Sequence, residues 1–374
     1  MQTIAILGAG RVGNAMARDL AEKFSVTSFD IDDASLEILK GYNNIQTRKS
    51  DLQSSDFKEL LTGYDLIISA VPGFMGFKTL KKVIECGKDV VDISFFPEDP
   101  FELDALAKQM EVCAVVDCGV APGMGNVILG RHNEEMQVQS YECLVGGIPS
   151  ERRWPFQYKA GFSPIDVIEE YIRPARYVQN GKLVVREALS DPELVDFDKI
   201  GTLESFNTDG LRTLIHTMNI PDMIEKTLRY PGSLEPLRIL RECGLFSDTP
   251  VEVEGKMIKP VGLTSKLLFP KWKLEEEDID ITVMRIIIKG IQDGGYKEIE
   301  YNLYDEKDTV NGVSSMARTT GYTCTAVVNL ILEGKFKTPG VNPPEYLGVE
   351  KDHFNYILNY LKDRNVNYNK AVRY

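Results

Sequence analysis

At 374 residues, with 43% hydrophobic and 26% charged side chains, the chain is long enough for two domains with sizeable cores and has an ordinary globular composition. Lysine and arginine number 43 against 56 aspartates and glutamates, a formal charge of −13, which argues against nucleic acid or an anionic membrane as partner. No apolar run approaches the roughly 20 residues that span a bilayer, and the N-terminus runs straight into a strand. Six cysteines without C-x-x-C spacing and three scattered histidines predict reduced thiols, a cytoplasmic protein and no metal site.

Thr3 to Leu7 is an apolar run of the buried parallel-strand kind. Gly8, Gly10 and Gly13 follow in G-x-G-x-x-G spacing, with Arg11 and Val12 inside the turn. In that pattern the first glycine makes the turn, the second lets a pyrophosphate approach the backbone, and the third lets the next helix pack close. A helix over Asn14 to Lys23 then points its N-terminus at the phosphates. A second strand, Ser25 to Phe29, ends at Asp30, whose carboxylate suits ribose hydroxyls and repels a 2′-phosphate. The expected cofactor is therefore NAD rather than NADP, although Asp32 and Asp33 are neighbouring carboxylates with the same chemistry.

The same rhythm continues. Asn44 to Thr47 is a third strand, followed by Asp51 at a position suited to the adenine edge. Asp56 to Leu61 is helical. Asp65 to Val71 is a fourth strand, running through Ala70 and Val71 into Pro72. Thr79 to Cys86 is a helix, Asp89 to Ile93 a fifth strand, Pro100 to Met110 a helix and Val112 to Asp117 a sixth strand. Apolar strands alternating with helices predict a parallel sheet covered on both faces. Ligands should then gather at its carboxyl edge, around Gly8–Gly13, Ser69–Gly73, Asp92–Ser94 and Cys118–Gly125.

Beyond Gly125 the pattern changes. Gln137 to Val145 reads as a strand ended by Gly146-Gly147-Ile148-Pro149. Ile281 to Lys289 and Lys297 to Tyr304 read as a hairpin around Gln292-Asp293-Gly294-Gly295. Ser314 to Glu333 is a long helix with small residues on one face. The expected fold class is α/β: a Rossmann-type parallel sheet domain plus an α+β domain for substrate binding and dimerisation. The boundaries are 1–125, completed by about 312–374, and 126–311. An apolar sheet face left open in the second domain predicts a homodimer.

Several polar, Gly/Pro-punctuated boxes stand in the second half: Gly146-Gly147-Ile148-Pro149, Phe162-Ser163-Pro164, Asn207-Thr208-Asp209-Gly210, Leu228-Arg229-Tyr230-Pro231-Gly232 and Ser314-Ser315-Met316-Ala317-Arg318-Thr319-Thr320-Gly321-Tyr322. In this order, from Thr3 to about Glu345, the chain resembles the saccharopine dehydrogenase (reductase-type) superfamily, and within it the lysine 6-dehydrogenase group. The resemblance implies NAD(P)-linked oxidation at the terminal amine of an amino acid, lysine first. The variant is making or cleaving a secondary amine, and the non-enzymatic alternative is a nucleotide-binding relative without turnover. Ala121, where glutamate-forming enzymes carry an acid, and Tyr171 after Glu169 and Glu170 favour the lysine group. Ser233, where that group has histidine, departs from it.

Amine oxidation needs a base for the ammonium proton and an anchor for the carboxylate. Arg229 is the candidate anchor, unless it pairs with a structural glutamate. Asn207 and Asp209 are candidates for the α-ammonium, with helix capping the alternative for Asp209. Tyr158 and Lys159 are the candidate proton-handling groups. Ser94, Pro122, Gly123 and Ser163 complete the expected substrate contacts. His132 and His216 read as packed or exposed, and Cys118 as a small apolar wall.

Overall fold

The computed structural model of the chain describes residues 1–54 and 57–374. The first elements are β1 (Thr3–Leu7), α1 (Arg11–Leu20), β2 (Ser25–Asp30), α2 (Asp33–Glu37), β3 (Ile45–Lys49), α3 (Phe57–Leu60), β4 (Leu66–Ser69) and α4 (Gly73–Glu85). They continue with β5 (Val90–Asp92), α5 (Asp104–Gln109), β6 (Cys113–Val115), α6 (Met124–Glu135) and β7 (Gln137–Pro149). Next come α7 (Pro164–Ile172), β8 (Ala175–Gln179), β9 (Lys182–Arg186), β10 (Glu193–Phe197), β11 (Gly201–Asn207), α8 (Leu214–Thr217) and β12 (Asp222–Arg229). Then follow α9 (Leu234–Glu242), β13 (Val251–Val253), β14 (Lys256–Ile258), α10 (Pro260–Trp272), β15 (Asp280–Gln292) and β16 (Gly295–Glu306). The chain closes with α11 (Ser315–Leu332), β17 (Gly340–Asn342), α12 (Pro344–Val349), α13 (Lys351–Asp363) and β18 (Tyr368–Arg373). Two compact units result: Met1–Val138 with Ile291–Gly295 and Ala317–Tyr368, and Gln139–Gly290 with Tyr296–Met316 and Asn369–Tyr374.

The first unit is built on a seven-stranded sheet in the order β17-β6-β5-β4-β1-β2-β3, parallel at every pairing. Its central strands are short apolar runs, and β4, β5 and β6 are buried along their whole length, as expected of strands covered on both faces. The order reverses between β1 and β4, which is where such sheets open a crevice for ligands. One layer of core joins Leu7, Phe29, Ile67, Leu80, Val83 and Phe96.

The last quarter of the chain returns to this unit. Gly321 on α11 lies against Met16 and Val12 of α1, and Asp19 of α1 accepts hydrogen bonds from Thr325 (2.5 Å), Tyr360 (2.7 Å) and Arg364 (2.5 Å). A Cβ at Gly130 of α6 would overlap the Glu345 carbonyl, and one at Gly348 the Val127 carbonyl, so α6 and α12 meet backbone to backbone. That contact holds α6 in the first unit and places the boundary after Val138 rather than at 125.

Other differences are local. The helix expected over Asn14 to Lys23 occupies Arg11–Leu20, because Gly10 takes the N-cap position and Gly13 is already helical. Pro100 to Met110 splits into a 3-10 turn, Pro100–Leu103, and α5. The expected helix start at Asp56 lies outside the described residues.

The second unit carries a nine-stranded sheet, ordered β10-β11-β12-β7-β15-β16-β18, with β8 and β9 paired off β12. β7 runs parallel to β12, whereas β10, β11 and β12 are antiparallel to one another. The β15–β16 turn places Asp293 at φ 52° and Gly294 at φ 80°, the left-handed pair that a tight hairpin requires. β7 does not stop at Val145; Gly146 and Gly147 continue it to Pro149. The basic C-terminal segment is strand β18, where Arg373 pairs with Glu298 (2.8 Å) and Glu300 (3.2 Å). An aromatic core of Tyr158, Tyr171, Phe206 and Trp272 fills the space against α7, α9 and α10. No helix among the described residues is long and apolar enough to cross a membrane.

Candidate cofactor and substrate sites

The glycine turn between β1 and α1 is shaped by backbone approach. Gly8 has φ 109°, and a Cβ there would overlap the Ala70 carbonyl at the end of β4. A Cβ on Gly13 would overlap the Gly8 carbonyl. Gly10 differs: nothing lies within 4 Å of its Cβ position, so the turn is open where an approaching phosphate needs room. The Gly10 N-cap has no side-chain partner and no acidic residue stands in the first turn, which leaves free N–H groups and a positive helix end. Arg11 is exposed beside them, and Val12 faces Gly321. Asn14 is buried, and its Nδ2 has no hydrogen-bond partner among the described residues. An open phosphate cradle with an orphaned amide beside it fits a dinucleotide.

Asp30 closes this site. Its Oδ2 accepts the Ala9 N–H at 2.7 Å and its Oδ1 the Asp32 N–H at 2.9 Å, so the carboxylate is fixed at the tip of β2. The neighbouring acids have other work. Asp32 caps α2 through Ala34 and Ser35, whose hydroxyl and N–H hold its carboxyl below the ordinary range. Asp33 pairs with Lys49. Asp51 is exposed and accepts the Gln53 N–H at 2.9 Å. Ala70, Val71 and Pro72 lead from β4 into α4, for which Pro72 is the N-cap.

A buried polar cluster occupies the ends of β4 and β5. Asp92 accepts the Ser94 N–H (2.8 Å) and hydroxyl (3.1 Å) and a hydrogen bond from Ser69, and the two serine hydroxyls lie 3.4 Å apart. Burial pushes the Asp92 carboxyl up to about 7, against the pull of the two serines. The adjoining loop from Asp117 carries a cis Ala121–Pro122 bond and Gly123 at φ 142°, where a Cβ would overlap Gly119. Asn126 ties it down by accepting the Gly123 N–H (3.2 Å) and donating to buried Glu345 (3.0 Å). Burial pushes the Cys118 thiol far up, so it stays protonated.

The polar boxes of the second unit have a different logic. A Cβ at Gly146 would press on Leu228, one at Gly147 on the Met316 methyl, one at Gly161 on the Met316 Cβ, and one at Gly210 on Glu225. These glycines let segments distant in sequence touch. Arg229 is fully enclosed. It donates to Glu170 (3.0 Å), Tyr171 (3.3 Å) and the Leu228 carbonyl (3.0 Å), and it stacks 4.5 Å over the Tyr158 ring. Burial would pull its pKa down, but Tyr171, Tyr158 and Glu170 keep it charged. The expected carboxylate anchor is thus found paired with Glu170.

Other expected contacts also have intramolecular partners. Asp209 neither caps a helix nor stands open; Arg176 grips it bidentately at 2.8 and 2.9 Å. Asn207 brackets the preceding turn through Ser190 (3.1 Å) and Asp191 (2.8 Å), while its buried Oδ1 has no partner among the described residues. Burial pushes the Tyr158 hydroxyl well above its ordinary range, and its ring packs on Trp272, which does not suit a base. Lys159 spends its ammonium on the Lys273 carbonyl (2.7 Å) and Asp278 (3.5 Å). Ser163 is the N-cap of α7 without a side-chain bond. His132 is buried against Glu135 and Phe354, and His216 is exposed. Arg176 is the group that sequence reasoning passed over; Asp92 was named only as part of the sheet's carboxyl edge, and Glu170 only as a neighbour of Tyr171.

Comparison with known proteins agrees with this arrangement. Residues 4–115 match the saccharopine dehydrogenase NADP binding domain, and residues 119–366 the saccharopine dehydrogenase C-terminal domain. The chain is 25% identical to a carboxyaminopropylagmatine dehydrogenase of Synechocystis over 91% of its own length and 92% of that protein's. It is 21% identical to an L-glutamate-forming saccharopine dehydrogenase of Schizosaccharomyces pombe, over 92% and 94% of the two chains. It also matches the mouse alpha-aminoadipic semialdehyde synthase at 23% identity, but spans only 28% of that protein's length. The fold superposes on the apo L-glutamate-forming saccharopine dehydrogenase of Saccharomyces cerevisiae with a TM-score of 0.81, at 20% identity and full coverage of both chains. The two domain matches together take in nearly every residue, and the chain belongs to the saccharopine dehydrogenase family of nicotinamide-linked dehydrogenases.

Proposed function

We propose that this dehydrogenase makes or cleaves a carbon–nitrogen bond in a small amino-acid substrate, with NAD as its cofactor. The observation that carries the reading is the open cradle at Gly10 in a chain matched from end to end by the family. The bound cofactor supplies hydride transfer at its nicotinamide ring. The protein's part is placement: Gly8, Gly10 and Gly13 hold the pyrophosphate at the N-terminus of α1, and Asp30 receives the ribose hydroxyls. The matched domain is described as NADP binding, which weighs toward the phosphorylated cofactor. Asp30 weighs against it locally, because a fixed carboxylate repels a 2′-phosphate.

The substrate reading favoured by the end-to-end relatives is a secondary amine, since saccharopine and carboxyaminopropylagmatine each join two chains through nitrogen. Ala121 favours the second reading, oxidation of the terminal amine of lysine. A panel of saccharopine, carboxyaminopropylagmatine, lysine and ornithine, each with NAD and NADP, separates the two by absorbance of the reduced cofactor. Turnover of the joined amines alone supports the first reading, and turnover of lysine alone the second. Tight cofactor binding with no turnover in either direction overturns both. We also propose a homodimer through the second unit, where Leu183, Val185 and Leu194 are exposed on β9 and β10; light scattering of a dilute monomer overturns that.

A further inference from the structure

The ends of β4, β5 and β6 form the second half of the parallel sheet, opposite the half that carries the glycine turn and Asp30. In sheets of this order the dinucleotide lies across the switch point, so the nicotinamide half of the ligand belongs beside β4 and β5. Asp92 ends β5. It is wholly buried, and two serines hydrogen-bond to it; Gly76 of α4 leaves room for Ser94, since a Cβ there would meet the Ser94 Cβ at 2.6 Å. The charged and titratable groups around it are Asp117, after β6, and the thiols of Cys118 and Cys324; among the described residues no lysine or arginine pairs with it.

We infer that Asp92 tunes the charge of the nicotinamide subsite, its buried carboxylate favouring the cationic oxidised ring over the neutral reduced ring. The inference rests on the reading of the first unit as a nicotinamide dinucleotide site. Its physical basis is that Asp92 is wholly buried and has no ion-pair partner among the described residues. An anion in a low-dielectric setting acts over several ångströms, and the oxidised ring supplies the positive charge that the protein does not. By linkage, oxidised cofactor binds more tightly when Asp92 is ionised, and its binding draws a proton out of the site. Reduced cofactor carries no such charge on its ring and has no such coupling.

Burial places the ionisation of Asp92 at about 7, inside the range where proteins are handled. The two thiols are pushed far above that range and do not contribute there. Ser69 and Ser94 donate to the ionised form, so loss of either hydroxyl moves the midpoint upward.

The test is isothermal titration of the full chain with NAD and with NADH between pH 6 and 8. Wild-type protein is expected to bind NAD roughly 3- to 10-fold more tightly at pH 8 than at pH 6, with NADH affinity nearly constant. Asp92→Asn, close in shape, should flatten the NAD profile. Asp117→Asn should keep the NAD profile but move its midpoint downward, because the Asp117 charge raises the Asp92 carboxyl; asparagine suits that residue's φ of 52°. Ser94→Ala should shift the midpoint upward by about half a unit, a second readout if Asp92→Asn folds poorly. An NAD profile that persists in Asp92→Asn, or one shared equally by NADH, overturns the inference alone. Failure of the wild type to bind either dinucleotide, or their phosphorylated forms, overturns the cofactor reading beneath it.

Discussion

The Asp30 carboxylate accepts the Ala9 N–H of the glycine turn at 2.7 Å, so the group that selects the ribose also braces the loop that holds the phosphates. Cofactor choice and loop geometry are thereby coupled. Asp30→Ser combined with Ile31→Arg should move preference toward NADP and weaken NAD binding by about tenfold or more, since both a ribose acceptor and the Ala9 brace are lost. Ile31 is exposed, so the arginine has room. Titration with both cofactors checks this, and wild-type protein that already favours NADP refutes it.

The two outer glycines of the turn and the middle one should separate cleanly. Gly10→Ala meets no neighbour and has an ordinary φ of −63°, so melting temperature should be unchanged while cofactor affinity falls at least tenfold. Gly13→Ala forces a carbonyl aside and should lose both stability and affinity. Calorimetric melting beside cofactor titration reads the pair.

Arg229→Ala should act on the fold. Removing one partner of a buried ion pair leaves Glu170 uncompensated, at a cost of about 3–5 kcal/mol. Activity should fall alike on substrates with and without a carboxylate. Glu170→Gln in the Arg229→Met background should recover part of the stability, because no buried charge remains. A selective loss on the carboxylated substrate, with unchanged melting, would return Arg229 to the role of anchor.

Asp92 also has a signature in the unliganded protein. Its folded-state pKa of about 7 exceeds the ordinary 3.8, so the folded chain holds a proton that the unfolded chain releases. Stability is therefore highest below the ordinary value, falls as pH rises from about 4 to about 7, and is flat above. Three units correspond to about 4 kcal/mol at most. Asp92→Asn lacks this slope, so the difference between the two denaturation curves should widen from pH 4 to 7. A constant difference would mean that Asp92 is already ionised.

Much of the first unit was legible from local pattern. Apolar runs such as Leu66–Ser69 bury on both faces, and the glycine turn does its work with residues adjacent in sequence. The candidate substrate residues were not legible, because their partners are distant. Arg229 meets Glu170 across 59 positions and Asp209 meets Arg176 across 33, and no spacing rule encodes such pairs. Gly146 and Gly147 looked like the punctuation that ends a strand, yet their neighbours are Leu228 and Met316. Turn chemistry and close packing ask for the same residue, and only the fold tells them apart.

The outermost strand of the parallel sheet, β17, comes from residues 340–342, and Asp104 receives the Val341 N–H at 3.0 Å. A ribosome making this chain from the N-terminus therefore releases six strands of that sheet long before the seventh exists. Until then the edge at β6 stays open and the face of α6 that awaits α12 stays bare, while the whole of the second unit is being synthesised. The glycine turn emerges well before α11, whose Gly321 lies against α1. During synthesis, a nascent chain halted near residue 311 should engage chaperones and cling to the cofactor weakly, and extension through α11, β17 and α12 should abolish both behaviours at once.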